Sequence, residues 1–221
     1  MPRDARATKE RLLNAGARLF ASEGVDGART RDIVRLAGQA NDSAITYHFG
    51  SRQGLLAAIL TAGVQRMEPA RAAALETLDP TDLRAITAAV VEPIAAELRT
   101  PHGRDFLRIV AQVAGQAGIR SHRVPPLLEG TALAAQLKLL EDRCRATLPE
   151  PFALERISVA IAFLTAALAD RAERTDSLLD HDTFVTDLVQ MLTAALAAPT
   201  GLPKHQGPNT VKTSPRGGAV R

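Results

Sequence analysis

The chain has 221 residues, 46% hydrophobic and 23% charged, with a formal net charge of +3, one cysteine and no tryptophan. That length buries a full core and holds one large or two small domains, and the lone Cys144, expected to be a buried or half-buried small residue, excludes an intrachain disulfide and a thiolate metal cluster. No apolar run approaches the roughly 20 residues of a membrane span, and the polar start Met1-Pro-Arg-Asp-Ala-Arg6 does not read as a secretory signal, so no membrane partner and a cytoplasmic location are expected.

The first predicted helix runs from about Thr8 to Glu23, with Leu12, Leu13, Gly16, Leu19 and Phe20 on one stripe and Gly24 as its stop. A turn over Val25 to Ala28 leads to a short helix at Thr30, carrying Ile33, Leu36 and Ala37 and stopped by Gly38. Asn41-Asp42-Ser43 supplies cap residues for another short helix. Three helices this small fold only by pooling their stripes. Leu12, Leu13, Leu19, Phe20, Ile33, Leu36, Ile45, Phe49 and Leu55 are therefore the expected core of an N-terminal domain over residues 1–50.

Helix, turn, helix is by itself only a helical hairpin, common in helical proteins. The charges add information. A helix N-terminus is partially positive and favours acids, yet Arg29 and Arg31 flank one helix start and Arg52 sits at the next. Basic side chains beside unpaired helical N–H groups make an anion site, and several along one face suit a nucleic-acid backbone. Net charge is segregated in the same sense: +4 over residues 1–66, −5 over 67–201 and +4 over 202–221. A basic head on an acidic body is what a DNA-facing domain joined to a second domain looks like.

The run Leu19-Phe20-Ala-Ser-Glu-Gly24, then Thr30-Arg-Asp-Ile33, Ala37-Gly38, Tyr47-His-Phe-Gly-Ser-Arg52 and Leu55-Leu56 resembles the DNA-binding domain of the tetracycline-repressor-like (TetR) transcriptional regulators. The likeness covers about residues 8–60. Its spacing from Ala37 to Phe49 is one residue longer than the commonest family form. The resemblance implies that Thr30, Arg31, Tyr47, His48 and Arg52 touch DNA phosphate and that Asn41, Asp42, Ser43 and Thr46 face base edges in the major groove. Their chemistry suits those roles, since amide, carboxylate and hydroxyl groups can meet base edges while phosphate contacts fix register. Asn41, Asp42 and Ser43 also suit the plainer role of capping a helix, which uses the same oxygens.

The helix after Ser51 carries Leu55, Leu56, Ile59, Leu60, Val64 and Met67, and Pro69 is expected to kink or end it. In the resemblance it bridges the DNA-binding domain and an effector-binding and dimerisation domain over residues 51–198. From Thr81 on the pattern is all helix with no strand signal, so the expected fold class is all-α. One helix opens at Thr81 or Asp82 and is interrupted at Pro93; another carries Phe106 to Val113; a third begins at Pro125-Pro126 and reaches Leu148. These middle helices are expected to enclose a small-molecule effector, with Phe106 as the main aromatic and Arg108, Gln112 and Gln116 as polar anchors in apolar walls.

Two long apolar helices follow, over about 151–173 and 182–198. A helix apolar on much of its circumference must be covered on more than one side. Two such helices from each of two chains would make a symmetric four-helix interface, a homodimer suited to a palindromic double-stranded DNA operator. Residues 199–221 hold eight Pro or Gly and only basic charge, and a disordered tail is expected there. Against an enzyme, the chain has no Gly-rich phosphate loop, metal-spaced pair or nucleophile elbow, and no cofactor is expected. The reading is a DNA-binding transcriptional regulator, a repressor released by a small-molecule effector; the alternative is a ligand-independent regulator or architectural DNA-binding protein.

Overall fold

Apolar residues at three- and four-residue spacing fold into nine α-helices in the computed structural model, which describes residues 2–41, 43–114 and 125–201; among them there is no strand. They are α1 (Pro2–Glu23), α2 (Thr30–Leu36), α3 (Ala44–Phe49), α4 (Arg52–Thr77), α5 (Leu83–Ala95), α6 (Pro101–Ala114), α7 (Ala132–Arg145), α8 (Glu150–Glu173) and α9 (His181–Ala197). Helix α1 begins six residues earlier than its apolar stripe suggests. Arg6 and Glu10, 3.3 Å apart one turn along, support that polar extension, and Gly24 ends the helix with φ of 89°, a backbone state glycine adopts at no steric cost.

Two apolar cores result. The first joins α1, α2, α3 and the start of α4 around Leu12, Phe20, Ile33, Ile45 and Leu55, each no more than 1% exposed. Leu13, Leu19 and Phe49 are half-buried against it. Leu36 departs from expectation and is 48% exposed, because α2 turns Ile33, Val34 and Ala37 inward and Leu36 falls off that face. The second core joins α5, α7, α8 and α9 with Leu107 of α6, and Cys144 is buried in it.

Proline did not stop either helix expected to end or break at one. Helix α4 runs through Pro69 to Thr77, and α5 runs through Pro93 to Ala95 before a 3₁₀ turn over Ala96–Arg99. At Pro69 the carbonyl left without a helical partner belongs to Gln65, which is exposed and can be hydrated, while Met67 and Arg71 on the opposite face are buried. Side-chain caps set several starts: Ser51 Oγ accepts from Gly54 N at 2.9 Å, Asp82 from Arg84 N and Ala85 N, Thr131 from Ala134 N and Asp180 from Thr183 N. The expected start at Pro125-Pro126 is a separate 3₁₀ turn over Pro126–Leu128, and α7 begins after it at Ala132.

Helix α8 has 24 residues and an 18-residue stretch of mean hydropathy 1.8, making it the one helix among the described residues long and apolar enough to cross a membrane. The sequence expectation had none. Ala160, Leu164 and Leu168 bury its inner face in the second core, which gives the apolar run a packing role.

Candidate nucleic-acid interface and body cavity

Helices α2 and α3 stand on the first core with their outer faces uncovered. Arg29 caps α2 without a side-chain hydrogen bond, Thr30 is half-buried at its first position, and Arg31 is exposed. Among the described residues no carboxylate pairs with Arg31, whereas Arg35 is held by Asp32 at 2.9 Å. On α3, Thr46 and Tyr47 are exposed, Tyr47 by 82%, and His48 is half-exposed. The Tyr47 and His48 rings meet edge to face with centroids 4.9 Å apart, so the two polar tips share one surface. Lys9 of α1 lies 5.7 Å from the Phe49 ring centroid and brings a cation to the same end of the molecule, which the sequence patterns did not single out.

Asn41 takes a capping geometry. Its Oδ1 accepts from Ser43 N at 2.9 Å and from Ser43 Oγ at 2.8 Å, an Asx turn that leads the chain into α3. The same oxygen is therefore not open for a bidentate pair with adenine, and the amide nitrogen is the group left to donate. Asp42 lies outside the described residues.

Arg52 turns inward. Its Nε donates to the Ala28 carbonyl at 3.1 Å, its Nη2 donates to the Val25 carbonyl, and the guanidinium covers the Phe20 ring at 5.0 Å. The resemblance implied a phosphate contact here; the side chain instead laces the turn between α1 and α2 to the start of α4.

Behind this head, the body holds a cavity of about 470 Å3 among α4 to α8. Leu60, Val64, Phe106, Val110, Leu137 and Ile161 typify its wall. Phe106 lines this cavity. It packs on Gly63 so closely that a Cβ at Gly63 would lie 2.1 Å from the ring, and Arg66 covers the ring at 5.4 Å. Arg66 in turn pairs with Glu97 at 2.6 Å and meets His102 Nε2 at 3.3 Å.

The other expected anchors lie elsewhere. Arg108 pairs with Glu173 at 3.4 Å and approaches Asp105 at 4.0 Å, and burial pushes the Asp105 carboxyl up against the opposing pull of Arg108. Gln112 faces the head, where its Oε1 accepts from Val25 N at 2.7 Å and its Nε2 donates to the Phe20 carbonyl at 3.2 Å. Ile109 beside it enters the first core. The physical reason is helical phase: Phe106, Val110 and Val113 make one face of α6 and Ile109 and Gln112 another, so one helix serves cavity and head. Gln116 lies outside the described residues, as does the tail over 202–221. The sequence reading missed Arg71 and Gln136, both buried beside the cavity, since neither stands in an apolar pattern.

An exposed helix-turn-helix surface of mixed basic, hydroxyl and aromatic character, carried on a helical body with an apolar cavity, is the arrangement of a DNA-binding regulator. Residues 12–59 match the profile of the bacterial regulatory proteins of the tetR family. The chain is similar to the HTH-type transcriptional repressor NicS of Pseudomonas putida, 26% identical over 201 residues, covering 82% of this chain and 90% of that protein. Its fold is that of the fatty acid degradation regulator FadR from Bacillus halodurans (TM-score 0.56, 14% identity, 84% of this chain and 94% of that one). The TetR-family regulator PfmR from Thermus thermophilus shares it too (TM-score 0.52, 20% identity, 83% and 97% covered). Residues 12–59 thus form a tetR-type DNA-binding domain, and the chain is an all-α, TetR-like DNA-binding transcriptional regulator.

Proposed function

We propose that the protein is a cytoplasmic repressor that holds a palindromic operator as a homodimer and releases it when a small molecule fills the body cavity. One observation carries the reading: α4 is built into both parts. Leu55 and Ile59 anchor its first turns in the head core, while Leu56, Leu60, Val64 and Met67 of the same helix line the cavity. A rigid helix shared in this way converts a change in the cavity into a change in the attitude of the head. The named repressor activity of the Pseudomonas putida relative supports the sense of regulation.

On the DNA side, Thr30, Arg31, Tyr47 and His48 are assigned to phosphate, and Thr46 with the Asn41 amide and Ser43 to base edges; Asp42 keeps its assignment from the sequence. Arg52 supports the head. Dimerisation is assigned to α8 and α9, because Phe152, Val159 and Phe163 of α8 and Met191 of α9 leave apolar surface uncovered on one chain. The cavity favours this reading over a ligand-independent or architectural protein, which has no use for one.

The test is fluorescence anisotropy with the DNA upstream of the protein's own gene, across a salt series, with and without ligands from a screen. Sharp preference over random duplex and release by at least one cavity ligand are expected. Equal, steeply salt-dependent binding to any duplex would favour the architectural alternative. Binding of the operator unchanged by a ligand shown to occupy the cavity would end the release mechanism, since a ligand shifts only states it binds unequally.

A further inference from the structure

Among the described residues the cavity wall carries two charged side chains, Arg71 and Glu141, in otherwise mostly apolar surroundings. Glu141 has a counter-ion in Arg145, one turn along α7. Thr165, a polar wall residue, gives its hydroxyl to the Ile161 and Ala162 carbonyls of its own helix. Arg71 is differently placed. It is 1% exposed, and among the described residues no carboxylate lies within ion-pair distance of it.

Its hydrogen bonds are lopsided. Nη1 donates to Gln136 Oε1 at 2.7 Å and to the Val90 and Ala89 carbonyls at 3.2 and 3.4 Å, and the fully buried Gln136 returns a bond from Nε2 to the Arg71 carbonyl at 3.3 Å. Among the described residues Nη2 finds only the Met67 sulfur at 3.9 Å, and Nε is buried with no acceptor. Nε and Nη2 are the pair that forms the guanidinium fork for a carboxylate. Glu68, the nearest acid along α4, accepts the Ala132 N–H at Oε1, and its buried Oε2 has no hydrogen-bond partner among the described residues and stands outside ion-pair distance of Arg71. Burial lowers Arg71 to about 10, with Glu68 opposing the shift, so the side chain is still cationic at neutral pH. A buried cation without a paired anion is costly, and the structure keeps this one oriented with Gln136 as its brace.

We propose that the cavity takes an apolar organic acid whose carboxylate pairs with Arg71. The claim rests on the effector reading above and names the chemical class of that effector. Apolar walls of about 470 Å3 bind the hydrocarbon body, aliphatic or aromatic, and Arg71 selects the acid over neutral molecules of the same shape. Gln136 is a positioning residue that holds Nη1 and leaves Nε and Nη2 for the ligand.

The test is isothermal titration of the full chain with sodium decanoate and with sodium phenylbutyrate, each against its own primary amide. At least one acid is expected to bind about tenfold or more tightly than its amide. Arg71→Met should erase that preference and Arg71→Lys keep part of it, with circular dichroism confirming that each variant is folded. Because removing a buried brace can cost the fold, the acid-to-amide ratio on the unaltered protein stands alone as a test. Equal affinities, binding of none of the four probes, or a preference that survives in folded Arg71→Met overturns the assignment. Operator release measured with the same probes separates the two claims. Release by acid and amide alike sinks the Arg71 assignment and leaves effector release standing; acid-selective binding without release keeps the assignment and removes the repressor mechanism.

Discussion

Gln112→Ala isolates the polar tie between body and head. The side chain makes two hydrogen bonds across that boundary, from Val25 N at 2.7 Å and to the Phe20 carbonyl at 3.2 Å, and a third to the Arg108 carbonyl within its own helix at 3.2 Å. A net hydrogen bond contributes about 0.5–1.5 kcal/mol, and the exposed Val25 site lets water replace part of what is lost. Losing the two cross-boundary bonds should cost about 1–2 kcal/mol, which for a chain of this size is a drop of about 2–8 °C in melting temperature. Hydrogen exchange adds locality: the Val25 amide should lose protection while amides in the α8 interior keep theirs. Gln112→Glu retains the acceptor for Val25 N and removes the donor to Phe20, so it should fall between the two. An alanine variant that melts with the unaltered protein and leaves Val25 equally protected would refute the idea that Gln112 ties the head to α6.

Four further outcomes are expected. Arg52→Ala should destabilise the chain by about 1–3 kcal/mol in a thermal melt, through loss of its bonds to the Val25 and Ala28 carbonyls and its cover of Phe20; an unchanged melt with a DNA salt slope lowered by about one would return Arg52 to the phosphate contacts. Tyr47→Phe should leave stability within about 0.5 kcal/mol and weaken operator binding about fivefold to tenfold in anisotropy titrations, as the loss of one phosphate hydrogen bond. Gly63→Ala should cost about 1–3 kcal/mol and drive the Phe106 ring toward the cavity, so ligand affinity measured by titration should fall by more than DNA affinity does. Phe163→Glu, placed on the uncovered face of α8, should shift sedimentation from dimer to monomer and weaken operator binding without unfolding the chain.

The head was legible because its residues obey one period. Leu12, Phe20, Ile33, Ile45 and Leu55 sit where a three- or four-residue spacing puts them, and they are the buried centre. Leu36 obeyed a looser count and lost to Val34, since residues two apart lie about 200° apart around a helix and cannot share its inward face. Pro69 and Pro93 stand inside α4 and α5, so neither ends its helix where the local rule would stop it. The cavity wall was half legible: Phe106 belonged to an apolar stripe, but α6 has two inner faces, and sequence spacing does not say which neighbour each face meets. Arg71 was invisible for a different reason. Set between alanines beyond a proline, it reads as a solvated helix residue, and only α5 and α7 closing over it make it a buried cation.

Helices α4 and α6 cross at Gly63 and Phe106, and that crossing gives the proposed switch a lever. The Phe106 ring touches the cavity on one side and leaves room for no side chain larger than hydrogen at Gly63 on the other, with Arg66 above it tied to Glu97. A ligand that moves the ring must therefore move α4 or be resisted by it. From Gly63 to Arg52 the helix spans roughly 16 Å at 1.5 Å per residue, so a tilt of about 5° carries its first turn by about 1.4 Å. Hydrogen bonds tolerate a few tenths of an ångström. A tilt of that size is thus enough to take Tyr47 and His48, joined to α4 through Gly50 and Ser51, out of reach of the phosphates assigned to them. The polar tie at Gln112 sets the opposite limit, because it fixes α6 to the turn before α2 and makes the head follow both helices together instead of swinging freely on one.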